Sequence, residues 1–261
     1  MIPNKRFLPV ASQQSTGRKS KLSAGTEGYF EWSRDPAVGF FVVLPLWLIY
    51  EVLRHFYVPH TMNLAEFWVK EQFYTLPKVV LDIYGISVLA GVLIAAWSLL
   101  RRDIPWVRVG MVVVLEGSVY GLMFGPIAAQ LTKHSLPVLQ IMPAEGQLFE
   151  DIIGSLGAGI FEELMFRLVL LSALSWLFMR VARSFGIPRA IGVGVAILVS
   201  SLLFSLFHHF GMGSAAVEPR VFVFRTMAGV LLGILFITRG LGVCVYTHAM
   251  YDVFFYLNEH G

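Results

Sequence analysis

Apolar runs of near-bilayer length follow one another along most of this chain, at roughly 37–57, 79–100, 106–131, 148–179, 190–210, 221–238 and 240–257. A helix needs about 20 mostly apolar residues to cross the hydrocarbon core. The pattern predicts an all-α fold, a polytopic transmembrane helical bundle of about seven or eight helices. Composition agrees. Charged residues make up 14% of the 261, hydrophobic residues 56%, and mean hydropathy is +0.69. A soluble domain carries about 25% charged residues.

The fourth run begins QLFEDIIGSL, and its charges predict a helix that enters along the interface. The sixth and seventh are separated only by Arg239 and Gly240, which predicts a very tight turn or a re-entrant segment. Gly117, Gly121 and Gly125, and again Gly229 and Gly233, recur at the spacing that lets helices approach closely in lipid.

The first 36 residues are polar, Ser/Gly-rich and basic. No apolar stretch follows the first basic residues, as a secretory signal requires. They read as a disordered cytosolic tail, with an organellar transit peptide as the alternative. Residues 37–261 then form one transmembrane domain. A cytoplasmic amino terminus places most Lys and Arg inside, among them Arg101, Arg102, Arg180, Arg183 and Arg239. It leaves Arg54, Lys70, Lys78, Lys133, Arg220 and Arg225 outside. The expected location is a bacterial inner (cell) membrane, crossed several times, with the amino terminus in the cytoplasm. The net charge of +3 is small and unclustered, which points away from nucleic acid. The one cysteine, Cys244, lies in an apolar run and reads as a small core residue.

A charge at mid-membrane costs at least ~2.5–3.5 kcal/mol, so each one asks for a reason. Glu51 and Asp82 lie near span ends and can reach the interface. Glu116 is deeper, and fits a protonated packing residue or part of an access path. The rest fall into three sets at helical spacing. In FEELMFR, Glu163 and Arg167 are four residues apart and can pair. Glu162 is turned ~100° away and left for another task. In FSLFHHF, Phe204 and His208 share a face, and His209 points elsewhere. In HAMYD, His248 and Asp252 share a face, where Asp can fix the imidazole tautomer or hold its proton. Three such sets on separate spans are better explained by one polar cavity than by three unrelated pairs. A carboxylate buried there makes a capable general base.

EExxxR, FxxxH and HxxxN/D, in that order on successive helices about 40 residues apart, resemble the CPBP family of intramembrane proteases (CAAX proteases and bacteriocin-processing enzymes, also called the ABI family). The resemblance covers roughly residues 145 to 257. It implies hydrolysis of a peptide bond within the membrane. By motif position it implies Glu162 as the base that activates water and His208 as the group that positions it. Glu163 and Arg167 would orient and tune the catalytic carboxylate. His248 and residue 252 would stabilise the oxyanion. Here that last residue is Asp252, and an ionised Asp donates no hydrogen bond.

The resemblance leaves two readings of cofactor use. Zinc would draw on His208, His248 and Glu162, with one open position for water. No HExxH is present, and the acids and histidines suffice without metal. The glutamic reading, with no cofactor, is preferred. The expected partners are the lipid bilayer and a membrane-associated peptide or lipidated-protein substrate, such as a prenylated tail, a peptide precursor or a sorting signal. The competing function classes are a non-catalytic scaffold or immunity protein and a proton-coupled carrier.

Overall fold

The apolar runs become helices in a computed structural model that describes residues 28–57, 64–74, 79–102, 104–133, 148–210 and 218–259. In chain order they are α1 (Pro36–Tyr57), α2 (Leu64–Tyr74), α3 (Val79–Arg102), α4 (Trp106–Lys133), α5 (Leu148–Glu162), a π-helical segment (Glu163–Leu171), α6 (Ser172–Ser184), α7 (Arg189–Phe210), α8 (Pro219–Arg239) and α9 (Leu241–Glu259). The fold is an all-α bundle. Six helices, including the continuous Leu148–Ser184 stretch, are long and apolar enough to cross a membrane. The protein is therefore an integral, multi-pass membrane protein.

The seventh expected span differs. α9 falls short of the other six in apolar character, yet it is the hub of the bundle. It packs against α4, α5, α1 and α8. Every residue from Val243 to Ala249 is buried. A helix surrounded by protein has no lipid-facing side to keep apolar, so it can carry His248 and Asp252 where an outer helix could not. Glycines make the approach possible. A Cβ at Gly117 would lie 2.6 Å from that of Tyr246, and one at Gly159 would lie 2.6 Å from that of Ala249. The first contact seats α4 on α9. The second seats α5 on α9, one turn before Glu162. The α8–α9 connection is the tight turn expected, made at Gly240 with φ 87°. There a Cβ would meet the Ser33 carbonyl at 2.5 Å.

Residues 28–36, counted with the tail on sequence, belong to the packed structure. Residues 28–32 form a helical turn, Ser33 is buried, and Asp35 caps α1. Its Oδ1 accepts from the Ala37 N–H at 2.9 Å, with Pro36 at the first helical position. Burial works against the charged form of Asp35. Arg102 and the capping N–H groups of Val38 and Ala37 outweigh it and hold the carboxyl below its usual range. The rest of the expected tail lies outside the described residues. So does the side chain of Asp82.

Glu116 is engaged by groups of the protein. Arg239, placed at the cytoplasmic surface on sequence, is buried and grips it with both ends of the guanidinium, Nε to Oε1 at 2.7 Å and Nη2 to Oε2 at 2.5 Å. The Tyr29 hydroxyl donates to the same carboxylate. Phe30 lies under the guanidinium, 4.2 Å from ring centre to Cζ. A second ionic cluster joins α1 to α2. Lys70 donates to Glu51 at 2.8 Å and to Glu66, Tyr50 donates to Glu66, and Arg54 lies 3.4 Å from Glu66. Glu51 therefore meets cations of the protein.

Candidate active site

FEELMFR sits where α5 passes into the π segment. Glu162 is the last α-helical residue and Glu163 the first of the wider turn. Regular 3.6 periodicity was expected through 179, and the sequence carries no sign of the change. The structure shows what accompanies it. The Ser200 hydroxyl of α7 donates to the Phe166 carbonyl at 3.0 Å, and that of Ser172 donates to the Arg167 carbonyl at 3.3 Å. Side chains thus supply donors to carbonyls of the wider turn. Such segments are frequent at functional sites.

The structure brings all six expected residues together. Glu162, Glu163, Arg167 and His248 are buried, and His208 and Asp252 are partly buried. Glu163 holds three groups. Its Oε1 lies 2.6 Å from His248 Nδ1 and 3.1 Å from Arg167 Nη1, and its Oε2 lies 2.9 Å from Cys244 Sγ. The pairing of Glu163 with Arg167 survives the π geometry, and Arg167 also stacks 4.4 Å over Phe204. Glu162 turns the other way, as its neighbour's pairing implied. Its Oε1 is 3.4 Å from His208 Nε2, and its Oε2 is 3.8 Å from His248 Nε2.

The partners fix the tautomers. His208 Nδ1 lies 2.9 Å from the Phe204 carbonyl, which only accepts, so Nδ1 carries the proton and Nε2 faces Glu162. His248 Nδ1–H donates to the Glu163 carboxylate, and its Nε2 faces Glu162 and Asp252. Asp252 lies 3.5 Å from Nε2, while Glu163 of the π segment reaches Nδ1 across the helix interface. Glu163 and Arg167 thus act on His248 first. His209 departs from the site. Its Nδ1 bonds the Ser205 carbonyl at 2.9 Å and its ring packs on Phe222 of α8.

Two further residues belong here. Cys244, read as core filler, donates its thiol to Glu163. The sequence carried its signal, since Cys244, His248 and Asp252 make one i, i+4, i+8 stripe on α9. Phe204, the aromatic of FxxxH, touches the rings of His208 at 4.7 Å and Phe166 at 5.2 Å, and holds Arg167 on its face. A cavity of about 310 Å³ reaches Asp252 from the side of α1 and α5, lined also by Tyr50, Arg54, Asp151 and Tyr256. It supplies a polar approach to buried chemistry. A larger groove of about 570 Å³, almost wholly apolar, runs past Phe161, Leu164 and Leu168 and includes none of the six residues.

Glu162, His208 and His248 are the groups a zinc ion would draw on. As placed, no three His, Cys, Asp or Glu side chains among the described residues form a group that fits a metal ion. No step below is routed through one.

Residues 145–254 match the family described as type II CAAX prenyl endopeptidase Rce1-like. This stretch is similar to that family. It contains every residue of the site and, in order, the three motifs EELMFR, FSLFH and HAMYD. The match supports intramembrane endopeptidase activity. No curated protein and no solved structure matches the chain.

Proposed function

We propose that this protein is a glutamic-type intramembrane endopeptidase in which Glu162 is the general base. The observation that carries this is the division of labour between two adjacent glutamates. Glu163 is committed to a cation, an imidazole N–H and a thiol. Glu162 instead faces two imidazole nitrogens across gaps of 3.4 and 3.8 Å.

Water bound between Glu162 Oε1 and His208 Nε2 donates one O–H to each. Its free lone pair is then aimed at a peptide carbonyl. Glu162 takes the water proton as the new C–O bond forms. The carbonyl oxygen becomes an oxyanion beside His248. Glu163 holds His248 by Nδ1, so a protonated Nε2 is directed at that oxygen. Glu162 then passes its proton to the leaving nitrogen as the C–N bond breaks. General-base catalysis of this kind contributes about 10²- to 10⁴-fold.

The substrate we propose is a membrane-associated peptide, with a prenylated tail first among the classes. The groove past Phe161 and Leu168 offers apolar surface near the site. The protein in liposomes should cleave an internally quenched peptide bearing an S-prenyl cysteine, and Glu162→Gln should not, with its melting temperature preserved. Normal cleavage by Glu162→Gln rules out the assignment.

A further inference from the structure

Arg54 lines the cavity that reaches Asp252, and no step above gives it a task. Its place follows from the helices around it. Tyr50 and Arg54 are four residues apart on α1 and share a face. That face meets α5. A Cβ at Gly157 would lie 2.7 Å from the Tyr50 ring, and the same ring stands edge-on to Phe161 at 5.8 Å. Asp252 and Tyr256 are likewise four apart on α9, and both line the cavity. A volume of about 310 Å³ lies at the small end of ligand sites, which run from roughly 300 to 1,000 Å³. It suits a short piece of peptide.

Arg54 is held loosely for a cation of this bundle. It shares two carboxylates with Lys70, and Lys70 has the closer hold on both. Lys70 Nζ lies 2.8 Å from Glu51 and 2.5 Å from Glu66. Arg54 lies 3.4 Å from each. Its Nε is out of reach of solvent and makes no hydrogen bond. Arg239, by contrast, grips Glu116 at 2.7 and 2.5 Å. The five N–H donors of the Arg54 guanidinium are thus served by two long contacts. A cation on a membrane helix is costly to keep, and one with donors to spare has the chemistry of a binding group.

We propose that this cavity seats the leaving side of the substrate, with Arg54 as the anchor for a carboxylate carried by that segment. This rests on the endopeptidase reading above. Among the described residues that line the cavity, Arg54 is the only cation. Guanidinium and carboxylate pair through two parallel N–H···O bonds, which fix orientation as well as position. Glu150 and Asp151 on the α5 wall, and Asp252 beyond them, repel a carboxylate, so it is held only against Arg54. That sets how much chain fits between the anchored group and the bond to be cut. Asp252 stands 3.5 Å from His248 Nε2, beside the scissile position. The amine released by cleavage emerges there, where the Asp252 carboxylate accepts a hydrogen bond from it. An acid beside the scissile position and a cation on the α1 wall thus match the charges of the released fragment.

The test uses full-length protein in liposomes and internally quenched S-prenyl-cysteine peptides in three forms. One has a free terminal carboxylate, one a terminal amide, and one a terminal amide with Asp as its last residue. Wild type should show a KM about 10- to 10²-fold lower for a carboxylate form than for the plain amide. Preference for the free acid alone supports an anchor for the chain terminus, and preference that includes the Asp form supports one that also takes a side chain. In Arg54→Gln the preference should vanish, because KM for the favoured form rises to that of the amide. Arg54→Lys, which keeps the charge and loses the fork, should recover part of it. Equal KM for all three forms in wild type overturns the proposal, and so does a preference that Arg54→Gln retains. If Arg54→Gln melts early, Arg54→Lys decides. A weakened preference at unchanged melting supports the anchor, and a wild-type preference ends it. Glu162→Gln runs beside them. Full turnover there overturns the endopeptidase reading and this proposal together. An inactive Glu162→Gln beside a wild type indifferent to the carboxylate overturns this proposal alone.

Discussion

Two buried ionic regions of this bundle are built from the same residue types and do different things. In one, Glu116 is held by Arg239 through both guanidinium ends and by the Tyr29 hydroxyl. Every strong interaction there ties the amino-terminal turn, α4 and the α8–α9 corner together. In the other, Glu163 is held as tightly, by Arg167, His248 and Cys244. Beside it Glu162 meets His208 and His248 only across gaps longer than an ordinary hydrogen bond. A carboxylate closed off by cations fastens helices. In the function proposed above, the carboxylate facing two imidazole nitrogens is the one that moves a proton. The difference between structure and chemistry here lies in geometry, not in composition.

The largest expected break in that comparison is Glu162→Gln. Turnover should fall about 10³-fold with melting little changed. The mirror experiment is Glu116→Ala. It leaves Arg239 buried beside Tyr29 and Phe30 and should cost about 3–5 kcal/mol of stability, seen as a lower melting temperature, while the protein that remains folded still turns over. If Glu116→Ala abolishes turnover without loss of stability, the two regions are not distinct. The histidines sharpen the contrast within one motif. His208→Ala should nearly abolish cleavage. His209→Ala, which loses a contact to Phe222 and a bond to Ser205, should retain most of it. Equal losses would contradict the placement of the two rings. Asp35→Ala removes a helix cap far from the site and should cost about 1 kcal/mol, with kcat unchanged. Asp35 binds its partners as a carboxylate, and its pKa is lowered in the folded state. Its contribution is therefore present above the unfolded carboxyl range and is lost as pH falls through the lower folded value. Melting followed from neutral to acid pH, with and without Asp35→Ala, should converge at the acid end. The smallest expected effect is none. Stripping metal from the purified enzyme should leave cleavage unchanged, as metal analysis and activity after chelation would show. Activity lost to chelation and restored by zinc would return His208, His248 and Glu162 to the role of ligands.

Much of this protein was set by its sequence. The apolar runs could only become helices in a bilayer, because backbone groups in lipid need internal partners. The spacing of Glu163 and Arg167 named the paired glutamate and left Glu162 over. The order of the three motifs marked one cavity, because charge in lipid is too costly to scatter. Other features depended on packing across helices. That α9 is the hub follows from how Gly117 and Gly159 seat its neighbours. The partner of His248 Nδ1 is Glu163 on another helix, not Asp252 on its own, because the packing of α5 on α9 brings that carboxylate to the ring. The fates of Glu116 and Cys244 were set the same way. Local spacing tells which side chains share a face of one helix. Only the tertiary structure tells what stands opposite that face.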